Sequence, residues 1–391
     1  MQLMSSIKVL SIVGTRPEAV KMAPLVRLLQ ETGEIESVLC LTAQHREMLD
    51  QVLSLFQLEP HYDLDIMKEG QSLTHITVRA LEGLEKVLHA EKPDFVLVQG
   101  DTTTTVAGSL AAFYQKIPVG HVEAGLRTGE RYAPFPEEIN RRLNSVMAQL
   151  HFAPTSLARE NLLREGIDPG TIFLTGNTVI DALQTTVQSA FSFSDPLLQK
   201  LDFSRYRILL VEAHRRENLG APMESIALAL RDLLEAFPDT FLVFPVHKNP
   251  EVRRVVFHVL QDHPRVLLLE PLDTFSFHNL MARSYLILTD SGGIQEEAPS
   301  LGRPVLVLRR VTERPEALEA GTALLAGTGR QEIVSMASRL LREKAAYEAM
   351  ARAANPYGDG QASRRICQAI LYYFGLRPAP PEPFEPAVNR N

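Results

Sequence analysis

Several segments of this chain place ionisable residues where an apolar run ends, in patterns suited to holding a phosphate and moving protons. The run Leu286-Ile287-Leu288-Thr289-Asp290-Ser291-Gly292-Gly293-Ile294-Gln295-Glu296-Glu297 passes from a strand-like stretch through Ser-Gly-Gly straight into a helical pattern. Such a turn aims backbone N–H groups at one point, the helix dipole adds positive potential, and the missing Cβ atoms let a ligand approach the backbone. Ser291, Gly292 and Gly293 are therefore candidate contacts for a phosphate or diphosphate. Glu297, about one helical turn on, could accept hydrogen bonds from hydroxyls such as those of a ribose. An ordinary strand-to-helix turn would share these features.

A second group is acidic. Asp101 follows the apolar run 95–99, Glu123 ends the run 118–123, and Glu137 and Glu138 open a helical stretch after Pro134-Phe135-Pro136. Asp101 could equally be a helix cap, and acids in a first turn usually serve the helix dipole. A half-buried carboxylate such as Glu123, however, is costly unless paired or functional. Three acids converging, Asp101, Glu123 and Glu137, suggest acid–base work. A third group is basic. Arg16 and Lys21 lie just past the first strand and could reach an anion or form a solvated surface pair. His214-Arg215-Arg216, His247-Lys248 and Arg314 follow strands of the second half, where a His flanked by Arg can bind phosphate or shuttle a proton. Gly14-Thr15-Arg16-Pro17-Glu18 lacks the three-glycine dinucleotide fingerprint, so an exchanging nicotinamide is not expected. Asp63-Leu64-Asp65 has the spacing of a metal-binding D-x-D, but this weak signal favours a plain surface turn, and no His/Cys cluster has zinc spacing.

What must position these residues is an alternation of short apolar runs with helical patterns. Strands are expected at 8–13, 37–42, 95–99, 118–123, 150–153 and 172–175, then at 207–211, 240–246, 266–269, 285–289 and 304–308. Helical spacing separates them at 17–30, 72–90, 104–114, 137–147, 157–165, 222–236, 250–260 and 331–342. Near-continuous Val, Ile and Leu in strands separated by helices imply parallel sheets covered on both faces. The fold class is therefore α/β, with two Rossmann-like domains and a cleft between them. We expect a first domain over 1–178, a second over 179–360, a helix at 361–376 packing back on the first, and a disordered proline-rich tail at 377–391. A chain of 391 residues can bury two such cores. The net charge of −7 argues against non-specific nucleic-acid binding. No apolar run approaches the roughly 20 residues of a membrane span, and the start reads as a buried strand and not a signal peptide. Two distant cysteines, Cys40 and Cys367, fit free thiols in the cytoplasm.

Together these motifs resemble the bacterial non-hydrolysing UDP-N-acetylglucosamine 2-epimerases. The resemblance runs from Val13-Gly14-Thr15-Arg16-Pro17-Glu18 to Asn355-Pro356-Tyr357-Gly358-Asp359-Gly360. It includes Ala43-Gln44-His45-Arg46-Glu47-Met48, Gly100-Asp101-Thr102-Thr103-Thr104, Gly120-His121-Val122-Glu123-Ala124-Gly125-Leu126-Arg127-Thr128, Gly176-Asn177-Thr178 and the Asp290–Ala298 run. It implies the GT-B fold, a homodimer, no metal and no nicotinamide. Carried over by position, Asp101, Glu123, Glu137 and His214 match catalytic positions. Arg16, Lys21, Ser291, Gly292, Gly293, Glu297 and Arg314 match UDP contacts, and Phe277 an aromatic near the uracil. Gln44, His45, Gln71, Glu138, Arg215 and His247 fit a second, activating UDP-N-acetylglucosamine site. Two departures stand out: Ala213 where the family commonly has Gly before the catalytic His, and Gly70 where some allosteric members have Arg. The implied reaction is reversible C-2 epimerisation to UDP-N-acetylmannosamine through elimination to a 2-acetamidoglucal, supplying cell-surface polysaccharide. The alternatives are a hydrolysing epimerase, a GT-B glycosyltransferase and an inactive UDP-sugar sensor.

Overall fold

The apolar runs are strands buried on both faces, so their side chains need cover from two layers of helices. The computed structural model describes residues 6–42, 46–66, 68 and 70–386. In chain order the first half comprises β1 (Ile7–Val13), α1 (Arg16–Glu31), β2 (Ile35–Leu41), α2 (Arg46–Phe56), β3 (Tyr62–Asp63), α3 (Leu73–Glu91), β4 (Phe95–Gln99), α4 (Thr103–Tyr114), β5 (Val119–Val122), α5 (Glu137–Met147), β6 (Leu150–Ala153), α6 (Ser156–Arg164), β7 (Ile172–Leu174) and α7 (Thr178–Thr186). After α8 (Pro196–Gln199) come β8 (Arg207–Glu212), α9 (Ala221–Ala236), β9 (Thr240–Pro245), α10 (Pro250–Leu260), β10 (Val266–Leu269), α11 (Thr274–Arg283), β11 (Leu286–Thr289), α12 (Gly292–Ser300), β12 (Val305–Val307), α13 (Pro315–Glu319), β13 (Ala323–Leu325), α14 (Arg330–Arg342), α15 (Lys344–Ala351) and α16 (Ala362–Tyr373).

The strands form two sheets, ordered β3-β2-β1-β4-β5-β6-β7 and β10-β9-β8-β11-β12-β13. Every pairing is parallel, for example Ile7 beside Ile35 and Leu288 beside Val211. The described chain divides into two compact units, with the boundary at Ala182 and Leu183 and a return to the first unit over Tyr357–Glu385.

In the first unit, α1, α2 and α16 close one face of the sheet around Leu25, Leu29, Phe56, Phe152 and Ile370. Helices α3 and α4 close the other around Leu84, Leu88, Val98 and Ala111. The tail at 377–391 was expected to be disordered, yet Phe384 is buried, its N–H donates to Leu174 O at 2.8 Å, and Arg365 stacks over its ring. One aromatic with a backbone partner outweighs the proline content there, because burying Phe offsets the cost of ordering a few stiff residues. In the second unit α9, α10 and α14 cover one face through Leu230, Leu233, Val256 and Leu340.

Helix starts are locally encoded. Thr15 and Glu18 form a capping box at α1, with Pro17 in its first turn. Asn249 and Asp273 cap α10 and α11 by accepting from Glu251 N and Ser276 N. The helix start of α16 is capped from a distance: Asp181 accepts from Ala362 N at 3.1 Å and Ser363 N at 2.7 Å.

Candidate active site

In a doubly wound sheet, ligands bind beyond the carboxyl ends of strands where the strand order reverses. In the first sheet that reversal falls between β1 and β4, and in the second between β8 and β11. The candidate residues lie at or next to these two points. Arg16 follows β1, Asp101 follows β4 and Glu123 follows β5; His214 follows β8, His247 follows β9 and the Ser291–Gly293 turn follows β11.

In the first unit Glu123 and Asp101 are each held by a cation from another element. Glu123 is nearly buried, and its Oε2 receives Lys21 Nζ at 2.5 Å from α1 and the Gln99 amide from β4. Its φ of 66° is left-handed, a conformation that costs a non-glycine residue about 1–3 kcal/mol and is concentrated at functional sites. Asp101 Oδ2 takes Arg141 Nη2 at 2.7 Å and Nε at 2.9 Å, while Asn140 Nδ2 donates to its carbonyl at 2.8 Å. Both partners sit on α5, the helix whose first turn carries Glu137, so Asp101 and Glu137 are tied to one rigid element. Oε2 of Glu137 is buried without a protein partner. Behind Asp101, His121 places Nε2 2.7 Å from Gly100 O, and burial pushes this imidazole down to about 3, so it stays neutral. Arg16 opens α1 beside the Gly14–Thr15 turn, which Glu18 braces by accepting from Gly14 N at 2.6 Å.

In the second unit the His214 imidazole sits among carboxylates. Glu212 Oε1 lies 2.6 Å from Nδ1, an ion-pair approach off the line of an aligned hydrogen bond. Asp290 Oδ1 lies 3.9 Å away, and the buried Asp290 carboxylate accepts from His214 N, Arg215 N and Asn218 Nδ2. Glu212 is the main reason the His214 pKa is raised, with burial opposing it. His247 stacks on His214 at 4.9 Å with ring planes 13° apart, and burial followed by the charge of His214 lowers its own pKa. Ligand-capable atoms of Glu212, His214 and Asp290 fall within 4.8 Å of one another. Asp290 is occupied by N–H donors from His214, Arg215 and Asn218, and Glu212 closes on the imidazole, so the three side chains form one hydrogen-bonded and ion-paired group.

Helix α12 begins at Gly292 with Ser291 as its N-cap, leaving the first-turn N–H groups available to an anion. A Cβ on Gly292 would meet Arg314 Nη2 at 3.7 Å and one on Gly293 would meet Glu297 Oε1 at 3.6 Å, both ordinary contacts, so the two glycines leave the backbone open without packing requiring them. The Arg314 guanidinium is braced by the buried Glu296 carboxylate. His278, buried on α11, lies 3.5 Å from Glu297 Oε2 and is held on its other side by Thr186 Oγ1 at 2.7 Å. Phe277 is half-buried on the same helix.

Over residues 27–371 the sequence matches the family model described as UDP-N-acetylglucosamine 2-epimerase. The chain belongs to the UDP-N-acetylglucosamine 2-epimerase family. It is 54% identical over 381 residues to the UDP-N-acetylglucosamine 2-epimerase of Bacillus subtilis, covering 97% of this chain and 99% of that one. To the Escherichia coli K12 enzyme of the same name it is 55% identical over 370 residues, 93% and 98% of the two chains. A crystal structure of UDP-GlcNAc 2-epimerase from Neisseria meningitidis bound to UDP-GlcNAc superimposes with a TM-score of 0.83 at 50% identity, covering 94% of this chain and all of that one. The protein is thus an epimerase acting as an isomerase, with two Rossmann-like sheets of the GT-B type.

The residues expected at a second site of the epimerase are placed unevenly. Gln44 and His45 lie outside the described residues. Gln71 donates to Ile66 O at 2.8 Å with its Oε1 buried and unpartnered. Glu138 is wholly buried: it accepts from Thr128 N at 2.9 Å and Gly129 N at 3.3 Å and pairs with Arg141 and Arg142. Its carboxylate braces the 128–129 turn. Arg215 and His247 both border His214. Gly70 has a φ of 72°, so it occupies a left-handed turn that favours glycine, while Ala213 is buried with no left-handed strain.

Sequence reasoning missed Gln99, Arg141, Glu212 and Glu296. Two had a visible signal: Gln99 is the one polar residue ending an apolar strand, and Arg141 follows Glu137 by one helical turn. Glu212 and Glu296 are ordinary neighbours in sequence until the fold turns them onto His214 and Arg314.

Proposed function

We propose that the epimerase interconverts UDP-N-acetylglucosamine and UDP-N-acetylmannosamine without net hydrolysis, by eliminating UDP and adding it back. No carbonyl acidifies the C-2 proton of the sugar, so the anomeric C–O bond breaks first and its electron pair leaves with UDP. The developing oxocarbenium acidifies C-2, a carboxylate takes the proton, and a C1=C2 double bond forms in a 2-acetamidoglucal. UDP then attacks C-1 while a proton reaches C-2 on the opposite face. Two proton-transfer groups are needed, and Asp101, Glu123 and Glu137 supply them. Leaving-group charge is met by the Ser291–Gly293 turn, Arg16, Arg314 and His214.

The observation that carries this reading is the pairing of Glu123, strained and nearly buried, with Lys21 Nζ at 2.5 Å. A carboxylate held this way keeps one geometry, and its cation balances the charge of the ionised form that takes the proton. The relative from Neisseria meningitidis, crystallised with UDP-GlcNAc, supports the substrate class. An exposed apolar face on the first unit, with Phe113, Tyr114, Leu143 and Val146, supports a homodimer formed there. The product would feed synthesis of cell-surface polysaccharide.

The test is to incubate the enzyme with UDP-N-acetylglucosamine in D2O and follow products by NMR. The expected result is a mixture with UDP-N-acetylmannosamine carrying deuterium at C-2. Free N-acetylmannosamine would make the enzyme hydrolysing, and product without deuterium would rule out elimination.

A further inference from the structure

The His214 imidazole is enclosed by charged groups from three strand ends. Glu212 and Arg215 flank it on its own segment, His247 comes from the end of β9, and Asp290 from the end of β11. These neighbours do not act equally. Asp290 spends its oxygens on the backbone N–H groups of His214 and Arg215 and on the Asn218 amide, so it fixes the main chain more than the ring. His247 offers a face and no acceptor to Nδ1, and Arg215 opposes a positive charge. Among the described residues Glu212 brings the nearest carboxylate oxygen to Nδ1, at 2.6 Å against 3.9 Å for Asp290 Oδ1. The other Glu212 oxygen accepts from Thr289 Oγ1 at 3.2 Å on the neighbouring strand, which holds the carboxylate against the ring. Thr289 is wholly buried, so this bracing does not depend on a mobile side chain.

We infer that Glu212 is a positioning residue for the epimerisation: it holds His214 by Nδ1 as an imidazolium, leaving Nε2–H as the donor that remains for the departing diphosphate. This rests on the reading that His214 serves the reaction. The chemistry asks for such a partner. An unassisted imidazole is mostly neutral above its ordinary value of about 6.5. A neutral ring gives the leaving oxygen a weak hydrogen bond, whereas an imidazolium gives a charge-assisted one. A carboxylate in contact with the ring favours the charged form by about 1–3 pH units. His247, stacked on the same ring, has its own pKa lowered by burial and by the charge of His214 on its face. Glu212 touches no reacting atom in this scheme. It sets the charge and rotation of a group that does.

The measurement is an NMR titration of the His214 ring, assigned by comparison with His214→Asn, in the wild type, Glu212→Gln and Glu212→Asp, beside pH profiles of kcat and KM. Gln is isosteric and its amide oxygen can still accept from Thr289, so the strand end should keep its shape. The expected result is that His214 titrates at least about one pH unit lower in Glu212→Gln. The kcat of that variant should fall by about tenfold at pH 8 and recover as pH is lowered, with KM little changed. Glu212→Asp, charged but shorter, should fall between the two. An unmoved His214 titration in Glu212→Gln, with His214→Asn inactive, would overturn the role of Glu212 and leave that of His214 standing. Full turnover by His214→Asn would overturn both.

Discussion

Glu18 offers a direct test of how far burial controls ionisation in the first unit. Its side chain is wholly buried at the start of α1. Oε2 accepts from Gly14 N at 2.6 Å and Thr15 N at 3.3 Å, whereas the buried Oε1 has no partner. Burial lifts its pKa from 4.5 to about 7, more than the Thr102 and Thr15 side chains and the Gly14 and Thr15 N–H groups lower it. At about 1.4 kcal/mol per pH unit, that rise is worth about 3 kcal/mol. The sign follows from the proton count. Below pH 4.5 both folded and unfolded chains hold the proton, and the stability is complete. As pH rises towards 7 the unfolded chain releases its proton while the folded one retains it, so stability falls; above about 7 the folded chain ionises too and the loss levels off. Glu18→Gln keeps an oxygen for Gly14 N and cannot ionise. Its stability relative to wild type should therefore rise by about 2 kcal/mol between pH 5 and pH 8.5. Urea titrations of both proteins at the two pH values, followed by a probe in the first unit, measure that difference. With a urea slope of about 2 kcal/mol per molar, it is a relative midpoint shift of about 1 M. A gap that stays constant with pH would refute the claim that Glu18 folds as a neutral acid.

Asp101→Asn and Glu123→Gln should each lower epimerisation by about 100-fold or more with thermal melting little changed, and near-wild-type turnover in both would end the acid–base assignment. Leu143→Glu with Val146→Glu, placed on the exposed apolar face, should convert a dimer into monomers by sedimentation velocity; an intact dimer would move the interface elsewhere. Phe384→Ala should cost about 3 kcal/mol of stability, read as a lowered melting temperature, and an unchanged melt would show that the tail contributes nothing to the first unit. Turnover should depend sigmoidally on UDP-N-acetylglucosamine, and Arg215→Ala should slow it more than it weakens UDP binding; hyperbolic kinetics would show the second site to be absent or silent.

What the sequence made legible follows from the range over which each feature is determined. The apolar runs 95–99 and 266–269 announced their strands to the residue: in the first, burial on both faces selects Phe, Val and Leu up to Gln99, and in the second an unbroken Val-Leu-Leu-Leu marks even a partly exposed edge strand. The edge strands Tyr62–Asp63 and Ala323–Leu325 did not, since two or three residues paired on one side carry no period. Helix α11, Thr274–Arg283, escaped because Ser276, His278 and Asn279 are buried polar residues that break its apolar stripe. They are buried for a reason the chain order hides: Asn279 and His278 serve Gln188 and Thr186, some 90 positions away. The reactive groups divide in the same way. Glu137 was visible as an acid opening a helix, and each of the others as an ionisable residue at the end of an apolar run, because strand ends are where parallel sheets present ligands. Its electrostatic partner was not, since Lys21 lies 102 positions from Glu123 and Arg141 lies 40 from Asp101. A carboxylate at a strand end is only a candidate; a counter-ion from a second element fixes its rotamer and balances its charge. The pairs Lys21–Glu123, Arg141–Asp101 and Glu296–Arg314 are therefore the part of the chemistry that the fold, and not the local sequence, determines.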